Sequence, residues 1–123
     1  MKKAVCLLLT VFLVLSIPMT VQGKKLNKRD GVNYFNGQKE TYYNLPMDKI
    51  FQKADANFGK HHKKYVREDG VWMYGPYVVL AVPFDVYPYG TTDIPTSLGP
   101  GIALDTGTFA LTNKCQIDIA VAW

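Results

Sequence analysis

A single apolar run, Ala4 to Ile17, interrupted only by Thr10 and Ser16, divides this chain before any folding argument begins. Lys2 and Lys3 precede it, Pro18 ends it, and Val21-Gln22-Gly23 offers small residues at the −3 and −1 positions of a cleavage site. Positive, apolar and small-residue regions in that order form the pattern of a secretory signal peptide. The run is about 14 residues long, whereas a membrane-spanning helix needs about 20; an uncleaved anchor is the alternative. The expectation is a signal peptide over residues 1–23, a flexible leader over 24–38 and one domain over 39–123. The protein is then secreted, extracellular or held in the cell wall, with no stable membrane anchor after cleavage.

Cleavage changes what the cysteines mean. Cys6 and Cys115 look like a pair only while the leader is attached. Without it the domain has one cysteine and must hold together by its core, for which roughly 100 residues suffice. Cys115 is expected as a packed small hydrophobe, because no Cys-His arrangement surrounds it.

The remaining sequence alternates short β-type runs with turn residues. Glu40 to Tyr43 suits a strand. Met47, Ile50, Phe51, Ala54 and Phe58 form one apolar helical stripe, with Asn44 as a possible cap, Pro46 in the first turn and Gly59 just past the end. Val71 to Tyr74, Tyr77 to Val82, Ile102 to Asp105 and Gln116 to Trp123 read as strands, punctuated by Gly75-Pro76, Pro88-Tyr89-Gly90 and Leu98-Gly99-Pro100-Gly101. In the last strand Ile117, Ile119, Val121 and Trp123 share one face, with Asp118, Ala120 and Ala122 on the other. One helix among short strands predicts a mainly β domain, a small barrel with one short helical insertion.

Charge is uneven. Residues 24–67 carry eleven Lys and Arg against four acids, and residues 70–123 carry Lys114 against four aspartates. A basic half suits an anionic polymer, and export favours a cell-wall polymer over nucleic acid; a solvated helix face is the plain alternative. His61-His62 are adjacent and lack a third ligand at metal spacing, so no metal site and no cofactor is expected. No serine elbow, phosphate loop or dinucleotide fingerprint is present.

Two aspartates stand out. Asp105 lies where a strand gives way to Thr106-Gly107, and Asp118 lies inside an apolar strand beside Ala120 and Ala122. A carboxyl in such a half-buried place has a raised pKa, the property a general acid needs; an exposed strand face and a turn aspartate are the alternatives.

Three segments resemble the motifs of the three-aspartate (3D) domain family. They are Leu80 to Thr91, Gly101 to Gly107 (GIALDTG) and Ile117 to Val121 (IDIAV), in the family's order over about 45 residues. The family includes stationary-phase survival proteins and the C-terminal part of membrane-bound lytic transglycosylase A. The resemblance implies a six-stranded double-psi β-barrel and cleavage of peptidoglycan glycan strands, by an O-glycosyl hydrolase or lytic transglycosylase, in peptidoglycan turnover. It implies Asp118 as general acid and then base, and Asp105 as a support of the groove. Pro83 stands where the family has its first aspartate, and Asp85, two residues on, is expected to substitute on the same strand face. Thr106, Gly107 and Tyr89 are expected to contact substrate, with Tyr89 as a sugar-stacking aromatic. Peptidoglycan or a related wall polysaccharide is the expected partner of a monomer. A non-catalytic wall-binding module on the same barrel is the second reading.

Overall fold

The computed structural model describes residues 31–123. The signal peptide over 1–23 and the first part of the leader lie outside the described residues. Seven strands, one α-helix and a short 3₁₀ segment follow one another as β1 (Asn33–Phe35), β2 (Gln38–Tyr43), α1 (Asp48–Phe58), β3 (Lys64–Val66), β4 (Trp72–Tyr74), β5 (Tyr77–Ala81), β6 (Gly101–Asp105), the 3₁₀ turn (Thr108–Leu111) and β7 (Gln116–Ala120). Over the described residues the fold is mainly β with one helix.

The folded domain begins before residue 39. Asn36 (φ 52°) and Gly37 (φ 78°) close a two-residue hairpin between β1 and β2, pairing Phe35 with Gln38. Both central residues need positive φ, which Asn-Gly supplies at little cost. Asn36 and Gln38 are buried, so the stretch expected to be a flexible leader is ordered from Asn33 onward.

The strands form one sheet in the order β1-β2-β7-β5-β4-β3, with β6 paired to the other edge of β5. The sheet does not close, so the expected six-stranded double-psi barrel is not what the structure holds. The end strands β1 and β3 are three residues each and pair only inward. The outer edge of β6 is taken instead by the loop before it, through Gly90 N–H to Ala103 O (2.8 Å), Ala103 N–H to Thr91 O (2.9 Å) and the Ile94–Gly101 bridge. That loop satisfies the edge that closure would otherwise have to satisfy.

Both faces of the sheet carry a core. On one, Val78, Leu80, Val82, Ile117, Ile119 and Val121 pack with Val71, Met73, Val86, Tyr87 and Ile94. On the other, Val79, Ile102, Leu104 and Ala120 pack beneath Met47 and Ala54, flanked by Ile50, Phe51 and Phe58 of α1. The alternation read in β7 thus holds, but the second face is covered too: Ala120 is as buried as Ile119. Each fully buried aliphatic side chain contributes about 1.5–3 kcal/mol.

The helix differs in its entry. Met47 is its N-cap and no side chain caps it. Asn44 instead donates to the Trp123 carbonyl, tying the segment after β2 to the chain's last residue. β7 ends at Ala120, and past the isolated Val121–Val71 bridge Ala122 is exposed, while Trp123 packs on Tyr42 (ring centroids 5.2 Å) and donates to Asp69 O at 3.0 Å. Among the described residues no helix is long and apolar enough to cross a membrane.

Candidate functional site

The site is built on the middle of the sheet. β7 runs parallel to β2 and antiparallel to β5, and β5 runs parallel to β6. The registers place Thr41 opposite Asp118, Asp118 opposite Ala81, and Ala81 opposite Asp105. Thr41, Asp118, Ala81 and Asp105 therefore form one row across four strands. With neighbouring strands about 4.8 Å apart, the two aspartate Cα atoms stand about 10 Å apart. The side chain between them is a methyl group, so nothing from β5 fills the space between the carboxyls.

Asp105 joins this row through a bulge. The pairing of β5 with β6 shifts between Leu80 and Ala81: Leu80 opposes Ala103, whereas Ala81 opposes Asp105. Leu104 is the extra residue. Without it, Asp105 would share the face of Ala103, since strand side chains alternate with period two. With it, Asp105 shares the face of Ala81, Asp118 and Tyr43.

Tyr43 confirms the placement. Its hydroxyl donates to Asp105 Oδ2 at 3.3 Å. Burial pushes the phenol pKa well up, as do the nearby Asp105 and Asp118 charges and the bond to Asp105, so Tyr43 stays a donor. Asp118 accepts from Thr41 Oγ1 at 3.1 Å. Burial is the main reason its pKa is pushed up from 3.8 to about 6; the Thr41 hydrogen bond opposes that rise and the Asp105 charge adds to it. A half-buried carboxyl that keeps its proton to near neutrality is suited to general acid work.

The remaining expected site residues divide. Thr106 is exposed and donates its backbone N–H to Asp105 Oδ1 at 2.9 Å, which orients that carboxylate. Gly107 is extended (φ −149°) and starts the 3₁₀ turn, where a Cβ would meet the Phe109 ring at 3.2 Å. Both therefore adjoin the row. Asp85 does not lie in it. The expectation of a shared strand face required β5 to continue, but β5 ends at Ala81, and Val86 and Tyr87 both donate their N–H to Pro83 O, turning the chain away. Asp85 sits in that turn with a 62% exposed side chain, paired to Lys114 at 3.0 Å. Tyr89 is packed rather than presented: it stacks on Phe58 at 5.6 Å, meets Phe84 edge-on at 6.0 Å, and has Lys53 Nζ 4.5 Å from its centroid.

Residues outside the motifs contribute as well. Thr41 and Tyr43 come from β2, and their signal in the sequence was only a β-prone run. No group of three His, Cys, Asp or Glu that could hold a metal ion occurs among the described residues. His62 stacks on Tyr74 (4.7 Å) and meets the His61 ring at a tilt (4.0 Å), and its Nδ1 lies 3.1 Å from Gly59 O. Cys115 is half-buried just before β7, and its backbone N–H donates to Asn113 Oδ1 at 3.1 Å.

The three motif segments meet in this sheet: the first ends β5 and forms the turn after it, the second is β6, and the third is β7. No family model, curated protein or solved structure matches this chain.

Proposed function

We propose that this is a secreted protein that cleaves peptidoglycan glycan strands, as an O-glycosyl hydrolase or lytic transglycosylase, with Asp118 as the general acid and then base. The observation that carries the reading is the row itself: a protonatable Asp118 and an Asp105 held by Thr106 and by Tyr43, whose hydroxyl reaches across from β2, on one sheet face with Ala81 as the strand residue between them. Glycosidic cleavage needs a protonated carboxyl at the leaving oxygen of an oxocarbenium-like transition state. One carboxyl suffices where the sugar's own hydroxyl completes the reaction; a second supports hydrolysis. The motif order and the leader pattern of the sequence point to wall glycan as substrate, and the basic residues before position 68 suit an anionic wall.

The purified protein should release soluble muropeptides from insoluble peptidoglycan, and Asp118→Asn should reduce release at least a hundredfold. Release should fall as pH rises through about 6, where Asp118 loses its proton. Equal release by wild type and variant removes Asp118 from the chemistry. Co-sedimentation with peptidoglycan without any release identifies a wall-binding module instead, a reading favoured by the turn that carries Asp85 away from the row.

A further inference from the structure

The hydrogen bonds around Asp118 have a direction. Asn113 Nδ2 donates to Gln116 Oε1 (3.4 Å), Gln116 Nε2 donates to Thr41 Oγ1 (3.1 Å), and Thr41 Oγ1 donates to Asp118 Oδ1 (3.1 Å). The chain is anchored at its start, because Asn113 Oδ1 accepts the Cys115 N–H at 3.1 Å and so fixes its amide. Gln116 and Asp118 share a face of β7, and Thr41 stands opposite Asp118 on β2. The Thr41 hydroxyl has one proton and two acceptors within reach, Asp118 Oδ1 and the Ile117 carbonyl at 3.4 Å.

We infer that Gln116 is a positioning residue for Asp118, acting through Thr41: its side-chain amide occupies the Thr41 hydroxyl oxygen and turns the hydroxyl proton onto the Asp118 carboxylate. A donor on the hydroxyl oxygen also polarises the O–H bond and strengthens what it donates. The chain thus favours the charged form of Asp118, while burial and Asp105 favour the neutral form. This opposition leaves Asp118 able both to hold a proton and to release it. Besides Asp105, the described ionisable groups on this sheet face are Tyr43, Lys39 one row along β2 and, farther off in the same cluster, Tyr74, Tyr77 and Tyr89. From α1 the cluster on this face takes Ala54, Ile50, Phe51 and Phe58, all apolar.

The inference rests on Asp118 being the acting carboxyl, but its test needs no substrate. The side-chain carboxyl ¹³C signal of Asp118 is followed against pH in the purified protein. Thr41→Val should raise the titration midpoint by about one pH unit, the effect of losing a hydrogen bond to a charged group. Thr41→Ser, which keeps the hydroxyl, should stay near wild type. Gln116→Met should raise the midpoint by roughly a quarter of the Thr41→Val shift. In the Thr41→Val background it should add nothing, because the amide then has no hydroxyl to act through. Gln116→Leu serves if the methionine variant does not fold. An unmoved midpoint in the Gln116 variant, a lowered one (the result of loosening and water entry), or the same shift in both backgrounds overturns the inference. A cycle that holds in a protein releasing no muropeptides overturns the glycan reading and leaves this one standing.

Discussion

Two carboxylates sit one position apart in the pairing of β2 with β7, on opposite faces. Glu40 opposes Ile117, and Asp118 opposes Thr41. Glu40 is fully buried and accepts three hydrogen bonds: Ser97 N–H at 2.8 Å, Ser97 Oγ at 2.6 Å and Asn33 Nδ2 at 3.1 Å. Asp118 is half-buried, accepts a side-chain hydroxyl from Thr41, and faces the charge of Asp105. The same functional group therefore serves two ends. Surrounded by donors, a carboxylate becomes part of the frame, here pinning the hairpin to the Ser97 loop. Half-buried with few donors, and beside a like charge, it becomes a group that exchanges a proton near neutrality.

The contrast can be broken at its structural end first. Glu40→Ala empties a buried site and strands the Ser97 N–H and hydroxyl, while Asn33 Nδ2 keeps Ser97 Oγ at 3.3 Å, so the urea midpoint should fall by the equivalent of about 3 kcal/mol. A loss below about 1 kcal/mol would show that the clamp contributes little to the frame. The opposite sign is expected at Asp118. Its folded pKa lies above the ordinary 3.8, so the folded state binds the proton more tightly than the unfolded chain. The stability this contributes is present below pH 3.8 and is lost as pH rises through about 6. Above that, charged Asp118 is a penalty of roughly 1–3 kcal/mol. Asp118→Asn should therefore raise the melting temperature at pH 7.5 and lose that advantage at pH 4, a stability gained at the site where activity is lost. Equal effects at the two pH values would refute the burial argument. The smallest change is expected at Asp85→Asn. Its exposed pair with Lys114 is worth under about 1 kcal/mol, and muropeptide release should not change. A large loss of release would return Asp85 to the site.

Much of this was legible before any coordinates. The helix stripe from Met47 to Phe58 and the alternation in Gln116 to Trp123 are periodic, and period is what backbone geometry imposes on sequence. The β1–β2 hairpin was legible too, in Asn36-Gly37 between β-prone residues, though its short strands and charged surroundings read as a leader. The turn at Pro83 was written in the same way: a proline that cannot continue the ladder ends β5 and moves Asp85 off the strand face. What hid Glu40 and Tyr43 is that their partners lie 57 and 62 residues away.

The sequence by itself determined five of the seven strands, the helix, the face each β7 residue takes and the presence of aspartates at two strand positions. These are local properties of side-chain size, branching and alternation. Only the tertiary structure decided that the sheet stays open, because the loop over 90–94 covers the β6 edge. It also decided that Asp105 stands on the same face as Asp118. Leu104 and Asp105 are consecutive in the sequence, and strict alternation from Ala103 turns Asp105 to the wrong side. The bulge that corrects this exists only in the pairing of β6 with β5. A one-residue slip between strands leaves no mark on either strand alone, yet here it brings two carboxyls together.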